Sequence, residues 1–198
     1  MIIDTDFEFG RMFDLKEVRY FVIHHTGVSA SQSVIDIHYF HQSVKEWSGI
    51  GYHFYIRKKG DIYRGRPEEK QGVHAGPANS ESLGICFEGD FNSEQPTDAQ
   101  MDSAEMLFKY LFDKYGEKPI TGHSDHMNTS CPGNFDFDEL LGRLEGDSLE
   151  KVTVDYHGKN IEGILYEGRL YLPARAEESV RTIVDWNGGE PIIKTRSE

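Results

Sequence analysis

Residues 121–135, TGHSDHMNTSCPGNF, set His123, His126 and Cys131 in one short polar stretch. Imidazole and thiolate are side chains that hold zinc. Cys131 follows His123 by eight residues and is closed off by Pro132 and Gly133. That supplies two ligands, with His126 as the rival to His123, and a third is on offer far upstream in Ile23-His24-His25-Thr26. On a strand, successive side chains point to opposite faces, so only one of His24 and His25 can meet the downstream pair. A zinc ion with three protein ligands keeps its fourth position for water, as catalytic rather than structural sites do, and one Cys with two His is a known set. The chemistry this ligand set points to is catalysis at a zinc that keeps a place for water.

Such a site needs a scaffold that carries residue 24 to residue 131. VRYFVIHHT (18–26) is apolar, β-branched and aromatic, and predicts a buried strand ending in polar residues. Residues 31–44 place Val34, Ile37, His41 and Val44 near helical spacing, with serines available as caps. His38 and His41 stand three apart there, which predicts a half-exposed helix face. GIGYHFYIRKKGDIYRGR (49–66) predicts a hairpin turning at Lys59-Gly60-Asp61, with Tyr52 and a structural His53 on opposite faces. Residues 81–91 predict another strand, in which Cys86 is a small core residue. Thr97 and Gln100 form a capping box ahead of a helix striped by Met101, Ala104, Phe108, Leu111, Phe112 and Tyr115, and Gly116 with Pro119 stops it. FDFDELLGRL (135–144) predicts a short last helix.

Beyond Lys151 the character changes to short strands and glycine turns, with one possible helix at 174–180. The predicted division is 1–146 and 147–198. Of the 198 residues, 37% are hydrophobic and 12% aromatic, enough for a core. Lys and Arg number 21 against 34 Asp and Glu, a formal charge of −13 that argues against nucleic acid as a partner. No apolar run approaches the roughly 18 residues of a spanning helix, so no membrane insertion is expected. Two cysteines make no disulfide framework. Acidic residues near the start stand where a secretory signal would be basic and then apolar, so the expectation is cytoplasmic synthesis without a signal peptide.

FVIHHT, GIGYHFYIRKKGDIYRGR, GVHAGPANSESLGICFEGDF and GHSDHMNTSCPGNFDF occur here in the order in which N-acetylmuramoyl-L-alanine amidases of the phage-lysozyme and peptidoglycan-recognition-protein type carry them. Over about residues 18–142 the chain resembles that family. The resemblance implies an α/β (α+β) fold, a central mixed β-sheet flanked by helices, and a zinc enzyme acting on bacterial peptidoglycan. It implies His24, His123 and Cys131 as the zinc ligands, with Tyr52 and Thr129 as catalytic residues. His74 and Asn79 match the segment that lines the substrate groove. Amidases that recycle soluble wall fragments carry a glutamate where Cys86 stands and lack the tyrosine, so the likeness is closer to the phage and recognition-protein branch. Inactive recognition proteins lack the cysteine ligand, which is retained here. Action on the wall, endolysin-like or autolysin-like, would then follow release from the cell.

The tail resembles a shortened form of the small repeat named after the copper amine oxidase N-terminal domain, through GRLYLPAR and the later VDW. No copper ligands accompany it. An appended β-rich module in a wall enzyme implies targeting to the envelope.

Overall fold

The computed structural model describes residues 2–146 and the strands at 150–156, 159–166, 169–171, 182–187 and 190–195. Two compact units divide the chain, Met1–Leu141 and Gly142–Glu198. The first is built on a six-stranded mixed sheet. Its strands are β1 (Ile2–Ile3), β2 (Tyr20–His25), β3 (Phe54–Ile56), β4 (Ile62–Arg64), β5 (Ser82–Phe87) and β6 (Ile120–Gly122), in the order β1-β4-β3-β5-β2-β6. β2, β3, β5 and β6 run parallel, and β4 returns antiparallel beside β3 as the expected hairpin. Parallel neighbours need crossovers. Helix α1 (Val34–Ser43) lies between β2 and β3 in the chain, and α2 (Asp98–Tyr115) between β5 and β6.

β2 has partners on both edges, which is why it reads as a continuous apolar run rather than an alternating one. Phe21 packs against Phe108 and Phe112 of α2. By alternation Ile23 and His25 share that face, while Val22 and His24 take the other. On the second face Cys86 stands beside His24 in register and joins Val34, Ile37, Ile50 and Tyr55 in one buried cluster.

Helices α1 and α2 both begin at sequence-encoded caps. Thr97 accepts from the Gln100 amide while the Gln100 side chain returns to the Thr97 amide, and Ser33 with Asp36 builds the same box on α1. Met101, Ala104, Phe108 and Leu111 are buried as expected. Val44, expected on the inner face of α1, is 63% exposed instead, because it is the C-cap at which the helix ends. His38 and His41 also differ from expectation, being buried rather than half-exposed. His38 Nδ1 accepts from the Ile50 amide at 3.3 Å and His41 Nδ1 from the Gly51 amide at 3.1 Å. From the opposite side the buried Arg66 donates to the Ile50 carbonyl and to the Ser48 hydroxyl, both at 3.0 Å. The loop delivering Tyr52 is thereby fixed. A third helix, α3 (Phe137–Gly146), follows, with Leu140 buried.

In the second unit β7 (Glu150–Tyr156), β8 (Lys159–Tyr166) and β9 (Arg169–Tyr171) form an antiparallel sheet. β10 (Thr182–Asn187) and β11 (Glu190–Thr195) pair as an antiparallel ribbon. The helix expected at 174–180 and most of GRLYLPAR lie outside the described residues. Among the described residues no helix is long and apolar enough to cross a membrane.

Candidate metal centre

β2 and β6 are parallel neighbours, so their carboxyl ends open on one rim, the place where open α/β sheets present their sites. β2 ends in His24 and His25. β6 ends at Gly122 and continues into a 3-10 turn, His123–Asp125, held by the Gly122 amide donating to Asp125 Oδ2 at 2.7 Å. The loop beyond brings Cys131 back to the end of β2. There the His25 amide donates to Cys131 Sγ at 3.4 Å, and the Ser124 amide to the Cys131 carbonyl at 2.8 Å. Gly133 makes this return possible. The Cys131–Pro132 peptide is cis, and Gly133 has φ +71°, where a Cβ would meet the Phe91 backbone at 2.7 Å.

Among the described residues, His24, His123 and Cys131 form a group able to hold a metal ion, their ligand atoms lying within 4.8 Å of one another. These three would be the residues to hold an ion such as zinc, which takes imidazole and thiolate ligands. His24 Nδ1 is 3.8 Å from Cys131 Sγ, and the His24 and His123 ring centroids are 4.6 Å apart. The neighbouring imidazoles stand elsewhere. His25 Nδ1 accepts from the Phe91 amide at 3.0 Å on the α2 face, and His126 Nε2 lies 2.8 Å from the Thr121 hydroxyl.

The donor set fits a cation. Burial, with His74 and His123 adding repulsion, holds His24 well below the ordinary imidazole pKa, and burial followed by His126 lowers His123. Both rings are therefore neutral at neutral pH, the form that ligates. Burial pushes the Cys131 thiol up to about 11, against the opposing His25 amide. A thiolate at that place calls for a positive partner.

The remaining candidates divide. Tyr52 comes to the centre, its ring centroid 5.1 Å from that of His24, and its hydroxyl lies against the Cys86 thiol. Thr129 Oγ1 accepts from the Cys131 amide at 3.2 Å, leaving the hydroxyl proton free to donate. His74 and Asn79, expected along the substrate groove, make the following contacts. His74 is buried behind the centre, its Nδ1 3.0 Å from His24 Nε2. Asn79 Oδ1 is taken up by the His74 and Ala75 amides, each at 2.8 Å. Sequence reasoning could not find the His24–His74 contact, because it joins residues fifty positions apart.

Fold and site together define an α/β domain with an open three-ligand candidate metal centre at the carboxyl ends of parallel strands. Its family is specific. Residues 14–134 match the N-acetylmuramoyl-L-alanine amidase family model, and the chain belongs to that family. Peptidoglycan-recognition protein 2 of Holotrichia diomphalia is 32% identical over 139 residues, covering 65% of this chain and 74% of that protein. The solved structure of the endolysin N-acetylmuramoyl-L-alanine amidase LysCS from Clostridium intestinale URNW is similar at a TM-score of 0.70 and 40% identity, over 73% of this chain and 95% of that one. A mutant of Drosophila PGRP-LB in complex with tracheal cytotoxin superposes at a TM-score of 0.63 and 27% identity, over 70% of this chain and 92% of that one.

Proposed function

We propose that this chain is a zinc-dependent peptidoglycan hydrolase that cleaves the amide between the lactyl group of N-acetylmuramic acid and the L-Ala of the stem peptide. The observation carrying this reading is the convergence of His24, His123 and Cys131 on one rim. Two neutral imidazoles and one thiol fit zinc by ligand type, and three ligands leave a position open.

When bound, zinc supplies Lewis acidity, which acidifies water toward neutral pH and polarises an amide carbonyl. The protein's own groups do the rest. Attack on the amide places negative charge on the former carbonyl oxygen, which is stabilised by donors already in place. Tyr52, held by the fixed loop at 48–52, provides one such donor once its hydroxyl proton turns from the Cys86 thiol to the substrate. The Thr129 hydroxyl, oriented by its bond to the Cys131 amide, provides a second.

Likeness to the endolysin LysCS supports action on the wall after release from the cell that makes the protein. A second reading, a peptidoglycan binder without hydrolysis, is favoured by the likeness to a protein named for recognition. Retention of Cys131 and Tyr52 favours hydrolysis. Digesting purified peptidoglycan and identifying the new termini by mass spectrometry decides between them. The expected products are stem peptides with a free L-Ala amine and glycans with free lactyl carboxylates. Chelation should abolish cleavage, and added zinc should restore it. Wall binding without new termini would establish the binder.

A further inference from the structure

We propose that His74 is a positioning residue of this centre, holding His24 in the tautomer and ring orientation that present Nδ1 to the metal. The proposal rests on the zinc reading above. His24 Nδ1 faces Cys131 Sγ at 3.8 Å, while Nε2 points inward to His74 Nδ1 at 3.0 Å. A metal on Nδ1 leaves the His24 proton on Nε2, so Nε2–H donates and His74 Nδ1 accepts. His74 must then carry its own proton on Nε2. That nitrogen is buried and makes no hydrogen bond of good geometry, although the Ser82 backbone lies within reach of the ring as an acceptor.

The surroundings are built for this ring. Gly84, paired with Val22 of β2, would set a Cβ 2.7 Å from His74 Cγ, and Gly72 would set one 2.6 Å from Nε2. Any side chain at either position would enter the volume the imidazole occupies. Asn79 holds the backbone of residues 74 and 75. The two rings cross at 88° with centroids 5.0 Å apart. Behind them His53 ties the slot together, its Nδ1 accepting from the Gly84 amide and its Nε2 donating to the Lys70 carbonyl, both at 2.9 Å. Imidazole ligands to metals generally donate their second N–H to an acceptor that fixes the ring, and losing it weakens metal affinity roughly 10–100-fold.

Two variants with the same branching and number of side-chain heavy atoms test this in the full chain. His74→Leu removes the acceptor, whereas His74→Asn sets a carbonyl oxygen near the former Nδ1. Zinc affinity is measured by competition with a chromophoric chelator. Leucine should weaken it roughly 10–100-fold relative to wild type, and asparagine should recover most of the loss. Equal affinity in wild type and the leucine variant overturns the proposal, as does equal loss in both variants, which would make the role one of packing. Wild-type protein that binds no zinc overturns the zinc reading and this proposal with it. Should the leucine variant fail to fold, ¹⁵N–¹H correlation of the histidine rings in zinc-loaded wild type decides alone. His24 protonated on Nε2 supports the proposal, and metal on Nε2 overturns it.

Discussion

Tyr52 reaches the centre from a loop, with its ring 5.1 Å from that of His24 and 5.6 Å from that of His41. Burial, followed by the Cys86 and Cys131 thiols, holds its phenol far above the ordinary value, so the hydroxyl remains a donor at any working pH. Tyr52→Phe removes that hydroxyl and keeps the ring. Zinc content and melting temperature should not change, while turnover of a muramyl peptide should fall by about 10²–10³, the usual effect of deleting one transition-state donor. Turnover within a few-fold of wild type would show that the hydroxyl takes no part. At this scale the sequence was legible where chemistry is carried by residue type. Two imidazoles and a thiol marked a candidate metal site, but only the family resemblance chose His24 over His25 and His123 over His126. It was not legible for His74, whose type alone does not say whether it faces a groove or backs a ligand.

Elements were legible where their signals are local. The capping boxes at Ser33 and Thr97 lie within three residues of their partners, and both helices start there. The roles of His38 and His41 were hidden, because their partners are backbone amides twelve and ten residues further on, in a loop no periodicity describes. These interior histidines carry a consequence for acid stability. His41 and His53 both titrate at about 4, lowered from 6.5 first by burial. For His41, Lys45, Arg66 and His38 add repulsion; for His53, Arg66 adds it against the Lys70 carbonyl. In the unfolded chain each binds its proton near 6.5. Stability is thus fully present above that pH and is lost as pH falls toward 4, because the unfolded state takes up more protons. The displacement corresponds to roughly 3 kcal/mol per histidine. His41→Asn keeps an acceptor for the Gly51 amide and removes the titration. Urea unfolding of the metal-free protein from neutral pH to about 4 should show a shallower loss for this variant. Parallel pH slopes would exclude His41 as a contributor.

At the scale of the molecule, everything the proposed reaction uses lies in the first unit. Its sheet is complete by β6, its candidate ligands end at Cys131, and the family match ends at residue 134. Leu140 is fully buried on α3, so a cut must spare that helix, and α3 ends at Gly146. The second unit has its own antiparallel pairing, β8 with β7 and β9, and β10 with β11. We propose it as a wall-binding module, on the ground that a wall hydrolase gains from being held on an insoluble substrate, where binding at one site raises the effective concentration at another. A chain ending at residue 146 should then fold with the melting behaviour of the first unit and bind zinc as the full chain does. Its turnover of a small soluble muropeptide should match that of the full chain, since one cleavable bond offers nothing for a second module to hold. On intact walls the shorter chain should sediment less and clear a suspension more slowly at low enzyme concentration, with the gap closing as concentration rises. Equal sedimentation of the two proteins would remove the targeting role. Slower turnover of the soluble muropeptide by the shorter chain, with zinc still bound, would assign the second unit to the reaction itself.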